Sequence, residues 1–238
     1  MVHPAPRHPP LAVKPMKTND YFPPDYFIRD DDSDDAIFYQ MPRMVVHIDD
    51  AAINTLMGCY ADTLPQGGSI LDLMSSWRSH IPIEHVAPKR VVGLGMNAEE
   101  MVNNPVISDG DIWVHDLNQN PTLPFADGEF DAAVCAVSIQ YLTQPLEVFA
   151  EVYRVLKPGA PFIVSFSNRC FPTKATAVWQ ATDDAQHVQL VAAYFQQSAE
   201  WGEAAARIKN VETGASAGED PLYVIWAHKP DQNPEISV

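Results

Sequence analysis

The chain has 238 residues, enough for one well-packed α/β domain and short for two. Its formal net charge of −16 gives a surface that repels phosphate backbones, which argues against nucleic acid and leaves a small-molecule partner as the compatible class. Apolar residues make up 46%, enough for a sizeable core, yet no run approaches the roughly 18 apolar residues of a membrane span.

Taken in chain order, residues 1–36 read as a Pro- and Asp-rich extension, largely disordered. Its acidic run is Asp30-Asp31-Asp32-Ser33-Asp34-Asp35. The aromatics of Tyr21-Phe22-Pro23-Pro24-Asp25-Tyr26-Phe27 are the part able to dock back. Residues 37–230 form the domain and 231–238 a tail. A helix is predicted over residues 50–63, capped by Asp49 or Asp50. Strand-length apolar runs follow at Ser69–Leu73, Arg90–Leu94, Asp111–His115, Phe130–Val137 and Pro161–Phe166. Helical stretches separate most of them. The clearest is Leu146–Leu156, with apolar residues at 3–4 spacing and a Lys157-Pro158-Gly159 stop. This alternation predicts a doubly wound α/β fold, a mostly parallel sheet with helices on both faces. A helix over Asp183–Ala199 and β-like runs near Ala206–Val211 and Leu222–Ala227 predict a closing antiparallel pair. Gly214, Gly218 and Pro221 punctuate the gap between those runs.

Cys59, Cys135 and Cys170 are far apart and form no CxxC, so neither disulfides nor a zinc ribbon is expected. A reducing cytoplasm is the simplest compartment, and no charged-then-apolar leader precedes the prolines. His80 and His85 lack ligand spacing, with Pro82 and Pro88 interrupting, so no metal is expected.

The segments Ile70-Leu71-Asp72-Leu73, Val91-Val92-Gly93-Leu94, Asp116-Leu117, Leu123-Pro124-Phe125-Ala126-Asp127-Gly128-Glu129-Phe130-Asp131 and Val152–Gly159 occur in the order of the class I S-adenosylmethionine (SAM) methyltransferases. The chain resembles that superfamily over roughly residues 69–168. The resemblance implies a seven-stranded Rossmann-like sheet, SAM as cofactor, S-adenosylhomocysteine as product, and a ligand crevice at the carboxyl ends of the strands. It carries over Asp72, Asp116, Leu117 and Val137 as cofactor positions. Ser75, Ser76, Trp77, Gly95, Met96 and Asn97 match by position with altered chemistry. The family's first loop usually reads Asp-x-Gly-x-Gly-x-Gly. Here Met74, Ser76 and Arg78 stand at the glycine places, and Gly95 stands where an acid usually binds the ribose. Both departures face one crevice and read as one coordinated change.

On the substrate side the candidates are Ser138, Gln140 and Tyr141 after the fourth strand, Asn168 and Arg169 after the fifth, and Arg43 and His47 before the first helix. Arg169 is the candidate grip for a carboxylate. Arg43 is expected to pair with a local aspartate, His187 to lie at the surface, and Trp179 in the core. The expected function is methyl transfer to a small-molecule acceptor. A non-catalytic binding module of the same fold competes, on the lost glycines. So does an NAD(P) oxidoreductase, because Gly93-Leu94-Gly95-Met96-Asn97-Ala98 fits G-x-G-x-x-A with Asp116 about 20 residues on.

Overall fold

Continuous burial along short strands is what a parallel sheet covered on both faces demands. The computed structural model describes residues 17–209 and 219–231. In it the apolar runs become β1 (Ser69–Leu73), β2 (Arg90–Gly95), β3 (Ile112–Val114), β4 (Ala132–Ala136) and β5 (Pro161–Phe166). Every residue of β5, and all but one of β1 and β4, is buried. The antiparallel pair is β6 (Ala205–Lys209) and β7 (Leu222–His228). The predicted extension of β6 over residues 210–211 lies outside the described residues, as do Gly214, Gly218, residues 1–16 and the tail beyond residue 231. The seven strands lie in the order β3-β2-β1-β4-β5-β7-β6, parallel through β5 and antiparallel from there.

Alternation along each strand feeds two cores. Leu71, Leu73, Val92, Leu94 and Ala133 join one cluster, and Ile70, Val91, Ala132 and Val134 the other. The first is covered by α6 (Pro145–Val155) and α8 (Asp184–Ser198), whose Phe149 and Phe195 meet Phe162 edge to face. The second is covered by α3 (Asp50–Thr63) through Leu56, Cys59 and Tyr60. Asp49 caps α3 by accepting from the Ala52 N–H at 2.8 Å. Asp131 fixes the entry to β4, accepting from the Ser69 N–H at 2.9 Å and Lys157 Nζ at 2.7 Å. Gly159 turns the chain into β5 with φ +78°, a conformation that costs a residue with a side chain about 1–2 kcal/mol.

Helical stretches separate most of the parallel strands as expected, the first two of them short, and the N-terminal extension departs from the sequence expectation. Between β1 and β2 the helical content is only α4 (Ile83–Val86); between β2 and β3 it is only α5 (Ala98–Val102). The β1 loop is therefore not followed at once by a helix. Residues 17–36 are not a loose extension. They carry α1 (Thr18–Tyr21) and a 3-10 turn at Pro24–Phe27, and they lead into α2 (Asp35–Phe38). Phe22 and Phe27 join the core against Tyr194, and Thr18 is buried beside Glu147 and Leu146 of α6.

The acidic run owes its order to two cations that it neutralises. Asp35, 4% exposed, accepts two hydrogen bonds from Arg29 Nη1 at 2.8 and 3.0 Å. Its other cation is Lys174, at 3.0 Å. Lys174 is fully buried and also meets Asp31 at 3.2 Å and the Ser33 carbonyl at 2.9 Å. Like charges that would repel in a free chain here surround buried cations, and a buried charge needs such partners.

Candidate functional site

The strand order reverses at β1, between β2 and β4. A cavity of about 420 Å³ opens there at the carboxyl ends of the strands, where ligands sit in such sheets. One wall is the loop after β1. Met74 takes φ +55°, a left-handed conformation at a place where the resemblance expects glycine. That conformation turns the Ser75 N–H onto the Leu94 carbonyl at 2.8 Å. The loop thus lies across the end of β2. A Cβ on Gly95 would come within 2.1 Å of the Ser75 carbonyl oxygen. An acidic side chain has no room at this position, and the first-loop and Gly95 departures are two sides of one contact.

The loop also satisfies itself. Ser75 and Ser79 hydroxyls both donate to Asp72 Oδ2 at 2.5 Å. Ser76 donates to Glu100 Oε2 at 2.6 Å. Asn104 Nδ2 donates to the Ser76 carbonyl and Ser79 Oγ, each at 2.8 Å. Trp77 donates from its indole to the Val45 carbonyl at 2.8 Å, and the Arg78 guanidinium lies 3.9 Å above its ring. Burial raises Asp72 to about 6, against the opposing serine hydrogen bonds.

Asn97 is spent on structure. Its amide oxygen caps α5 by accepting from the Glu100 N–H, and its amide nitrogen donates to the Tyr39 and Gln40 carbonyls. This cofactor position thus serves as a cap and a tie to the covering segment. The dinucleotide reading loses its basis in the same place. Gly93 is closed by Ile107 and Met101, and Gly95 by Ser75, so both glycines admit protein rather than a pyrophosphate.

Segment 39–48 covers the cavity through Tyr39, Arg43, Val45, Val46, His47 and Ile48. Arg43 does not take the expected aspartate. Its Nη2 donates to the Phe38 carbonyl at 2.9 Å, and its guanidinium carbon lies 4.5 Å from the Phe38 ring centre and 5.4 Å from that of Phe171. His47 meets Phe171 edge to face at 5.3 Å, and burial holds its pKa below the ordinary value.

The opposite wall comes from β3, β4 and β5. Asp116 Oδ1 accepts from the Asn118 N–H at 2.8 Å, and Leu117 is buried beside it. Val137 takes φ +52°, and its N–H reaches the Ser165 carbonyl at 2.8 Å. Ser138 donates to the Ala136 carbonyl at 2.7 Å. Tyr141 lines the cavity, its hydroxyl accepts from the Phe171 N–H at 2.8 Å, and burial pushes its pKa up to about 12.

The cavity thus brings together Asp72, Ser75, Ser76, Trp77, Gly95, Met96, Asn97, Asp116, Leu117 and Val137 with Arg43, His47, Ser138, Tyr141 and Arg169. Two candidates stay outside. Gln140 is buried behind the wall and donates to the Val137 carbonyl at 3.1 Å. Asn168 is exposed and accepts only from its neighbour Ser167 among the described hydrogen bonds. Arg169 is engaged by Asp220 at 2.8 Å, which weakens it as a carboxylate grip. His187 is buried, not superficial, stacked at 3.9 Å on the core residue Trp179. Sequence reasoning missed Asp35, Tyr39, Asn118 and Phe171 in the lining. Asn118 had a signal, two residues beyond Asp116. Tyr39 and Phe171 had only their aromatic character.

Comparison with known proteins places these features. A family described as a methyltransferase domain matches residues 81–164, beginning just after the rewritten loop. The biotin biosynthesis bifunctional protein BioHC of Teredinibacter turnerae is 33% identical over 72 residues, 30% of this chain and 13% of that protein. Demethylmenaquinone methyltransferase of Lactiplantibacillus plantarum is 28% identical over 126 residues, 49% of this chain and 52% of that enzyme. The chain therefore spans about half, or less, of these curated relatives. Among solved structures, a SAM-dependent methyltransferase from Aquifex aeolicus superposes with a TM-score of 0.51 at 15% identity, covering 82% of this chain and 97% of that one. Among the described residues no helix is long and apolar enough to cross a membrane, and no cluster of three or more His, Cys, Asp or Glu could hold a metal ion.

Proposed function

We propose that this chain is a class I SAM-dependent methyltransferase and transfers a methyl group from SAM to a small-molecule acceptor. The observation that carries the reading is the cavity at the reversal of strand order, where Asp72 and Asp116 stand among apolar walls from Leu94, Leu117, Val137 and Leu142. That donor set fits the cofactor: apolar walls for a purine, carboxylates for its amino and hydroxyl groups. The fit departs from the family pattern at the ribose, because the Ser75 carbonyl fills the space of the usual strand-two acid.

When bound, SAM supplies an electrophilic methyl group on a sulfonium. The chain's own task is then alignment and exclusion of water. Segment 39–48 closes one side of the cavity, and Phe171 and Tyr141 close another. His47 is held toward its neutral form, which suits it to take a proton from an acceptor that must lose one. A cavity of this size under a net charge of −16 favours a small molecule over a nucleic acid.

A second reading, a non-catalytic binding module, draws on the loop's internal bonding: the Ser75 and Ser76 hydroxyls already have protein partners. Calorimetric titration with SAM and S-adenosylhomocysteine tests the proposal. Binding of either supports it, and Asp72→Ala should then weaken that binding by about 1–3 kcal/mol. No binding to either at millimolar concentration overturns it. Labelled product from lysate extract and labelled SAM excludes the module reading.

A further inference from the structure

Most arginines in the described residues have a carboxylate partner: Arg29 with Asp35, Arg90 with Asp111, Arg154 with Glu151, Arg169 with Asp220, Arg207 with Asp62. Arg43 stands apart. Its Nη2 is taken by the Phe38 carbonyl, while its Nη1 is buried with no hydrogen-bond partner. Arg43 is also part of the cavity lining. A buried guanidinium N–H without an acceptor is costly, and the cost disappears when an acceptor arrives.

The surroundings select the acceptor. The rings of Phe38, Tyr39 and Phe171 lie 4.5, 5.8 and 5.4 Å from the guanidinium carbon of this half-buried side chain, so aromatic groups crowd it. Its backbone is held as well, the Arg43 N–H donating to Glu100 Oε1 at 2.7 Å. A fixed guanidinium with a buried, unpartnered N–H pairs best with a carboxylate, whose two oxygens match its geometry. The other two arginines of the lining are less available. Arg169 is paired with Asp220, and Arg78 lies on the Trp77 ring while donating to the Trp77 and Asn103 carbonyls.

We propose that Arg43 is the carboxylate anchor of this cavity, gripping the carboxylate of the bound small molecule. This rests on the methyltransferase reading for its two sources, the amino-acid half of SAM and the methyl acceptor. The grip itself is a property of the chain.

The test uses the full-length protein and its Arg43→Met and Arg43→Lys variants, each shown folded by its thermal transition. Calorimetry compares S-adenosylhomocysteine with 5′-methylthioadenosine, which lacks the amino-acid half. If the carboxylate is the cofactor's, the wild type prefers S-adenosylhomocysteine by about 10- to 100-fold, Arg43→Met erases that preference, and methylthioadenosine binding is unchanged. If it is the acceptor's, Arg43→Met leaves both nucleosides alone. Benzoate then binds the wild type more tightly than benzamide, and the variant loses that difference. Arg43→Lys should keep part of either preference. Ratios unaffected by Arg43→Met in both comparisons overturn the proposal. If neither nucleoside binds the wild type, the methyltransferase reading fails instead, and benzoate against benzamide still decides whether Arg43 is an anchor.

Discussion

The two sides of the cavity are built by opposite means. On the β4–β5 side the backbone follows regular rules: buried strands, a helix with apolar spacing, and a Lys157-Pro158-Gly159 turn. Ser138 there is tied to the nearby Ala136 carbonyl, while Tyr141 and Arg169 reach Phe171 and Asp220. On the β1–β2 side a loop of side chains takes the place of glycines, and it is held by contacts with residues up to some thirty positions away, Trp77 with Val45 and Asn104 with Ser76. Regular elements build a wall from local rules. A rewritten loop needs compensation from its surroundings at each step.

The largest expected effect lies where the covering segment is fastened to the β5 side. Asp35→Ala would leave Arg29 and the fully buried Lys174 without their shared carboxylate. Breaking a buried pair in this way costs about 3–5 kcal/mol, read as a lowered midpoint in urea unfolding. A loss below about 1 kcal/mol, the scale of exposed pairs, would show that the network is loosely held.

Next is the acid at the foot of the rewritten loop. The folded state raises Asp72 from 3.8 to about 6, so the native protein holds this proton more tightly than the unfolded chain. Stability from this group therefore falls as pH rises from about 4 to about 6, by at most about 1.4 kcal/mol per pH unit. Above that window the cost is fully present. Asp72→Asn keeps an acceptor for Ser75 and Ser79, which both use Oδ2. Unfolding at pH 4, 5, 6 and 7 should show the variant gaining on the wild type through that window. A constant difference would break the assignment.

The smallest effect gives the sharpest contrast between the two sides. Gly95→Ala sets a methyl 2.1 Å from the Ser75 carbonyl, and Gly159→Ala sets one 2.8 Å from Asp231 Oδ1 at φ +78°. Each should cost about 1–3 kcal/mol of stability. Only Gly95→Ala should also disturb nucleoside binding, because only that glycine holds the cavity loop. Equal effects on binding would erase the distinction between the two walls.

Much of the fold was legible because its signals are local. The five apolar runs mark the parallel strands, and the predicted helix over 50–63 coincides with α3. Asp72, Asp116 and Val137 come from the resemblance, and all three line the cavity. What escaped the sequence depends on distance along the chain. The acidic run reads as solvated until Lys174 and Arg29 are placed beside it. Asn97 reads as an altered cofactor position until the Tyr39 carbonyl arrives. Gly95 reads as a lost acid, and no spacing reveals that the Ser75 carbonyl fills its side-chain space. Phe171 and Tyr39 enter the lining because separate segments meet there, which periodicity does not encode.

The packing of residues 17–36 has a kinetic side. Apart from the bonds of Asp34 and Asp35 to Ile37 and Tyr39 in the turn of α2, their described hydrogen-bond and ring partners outside the segment lie far downstream: Asn118 and Gln119, Leu146 and Glu147, Thr173 to Ala177, and Tyr194. During synthesis this segment emerges well before the distant residues it packs on. Contacts closing loops of more than a hundred residues form slowly. This stretch is thus among the last parts of the domain to be seated, and the cavity it helps wall is completed only after Tyr194 has been made.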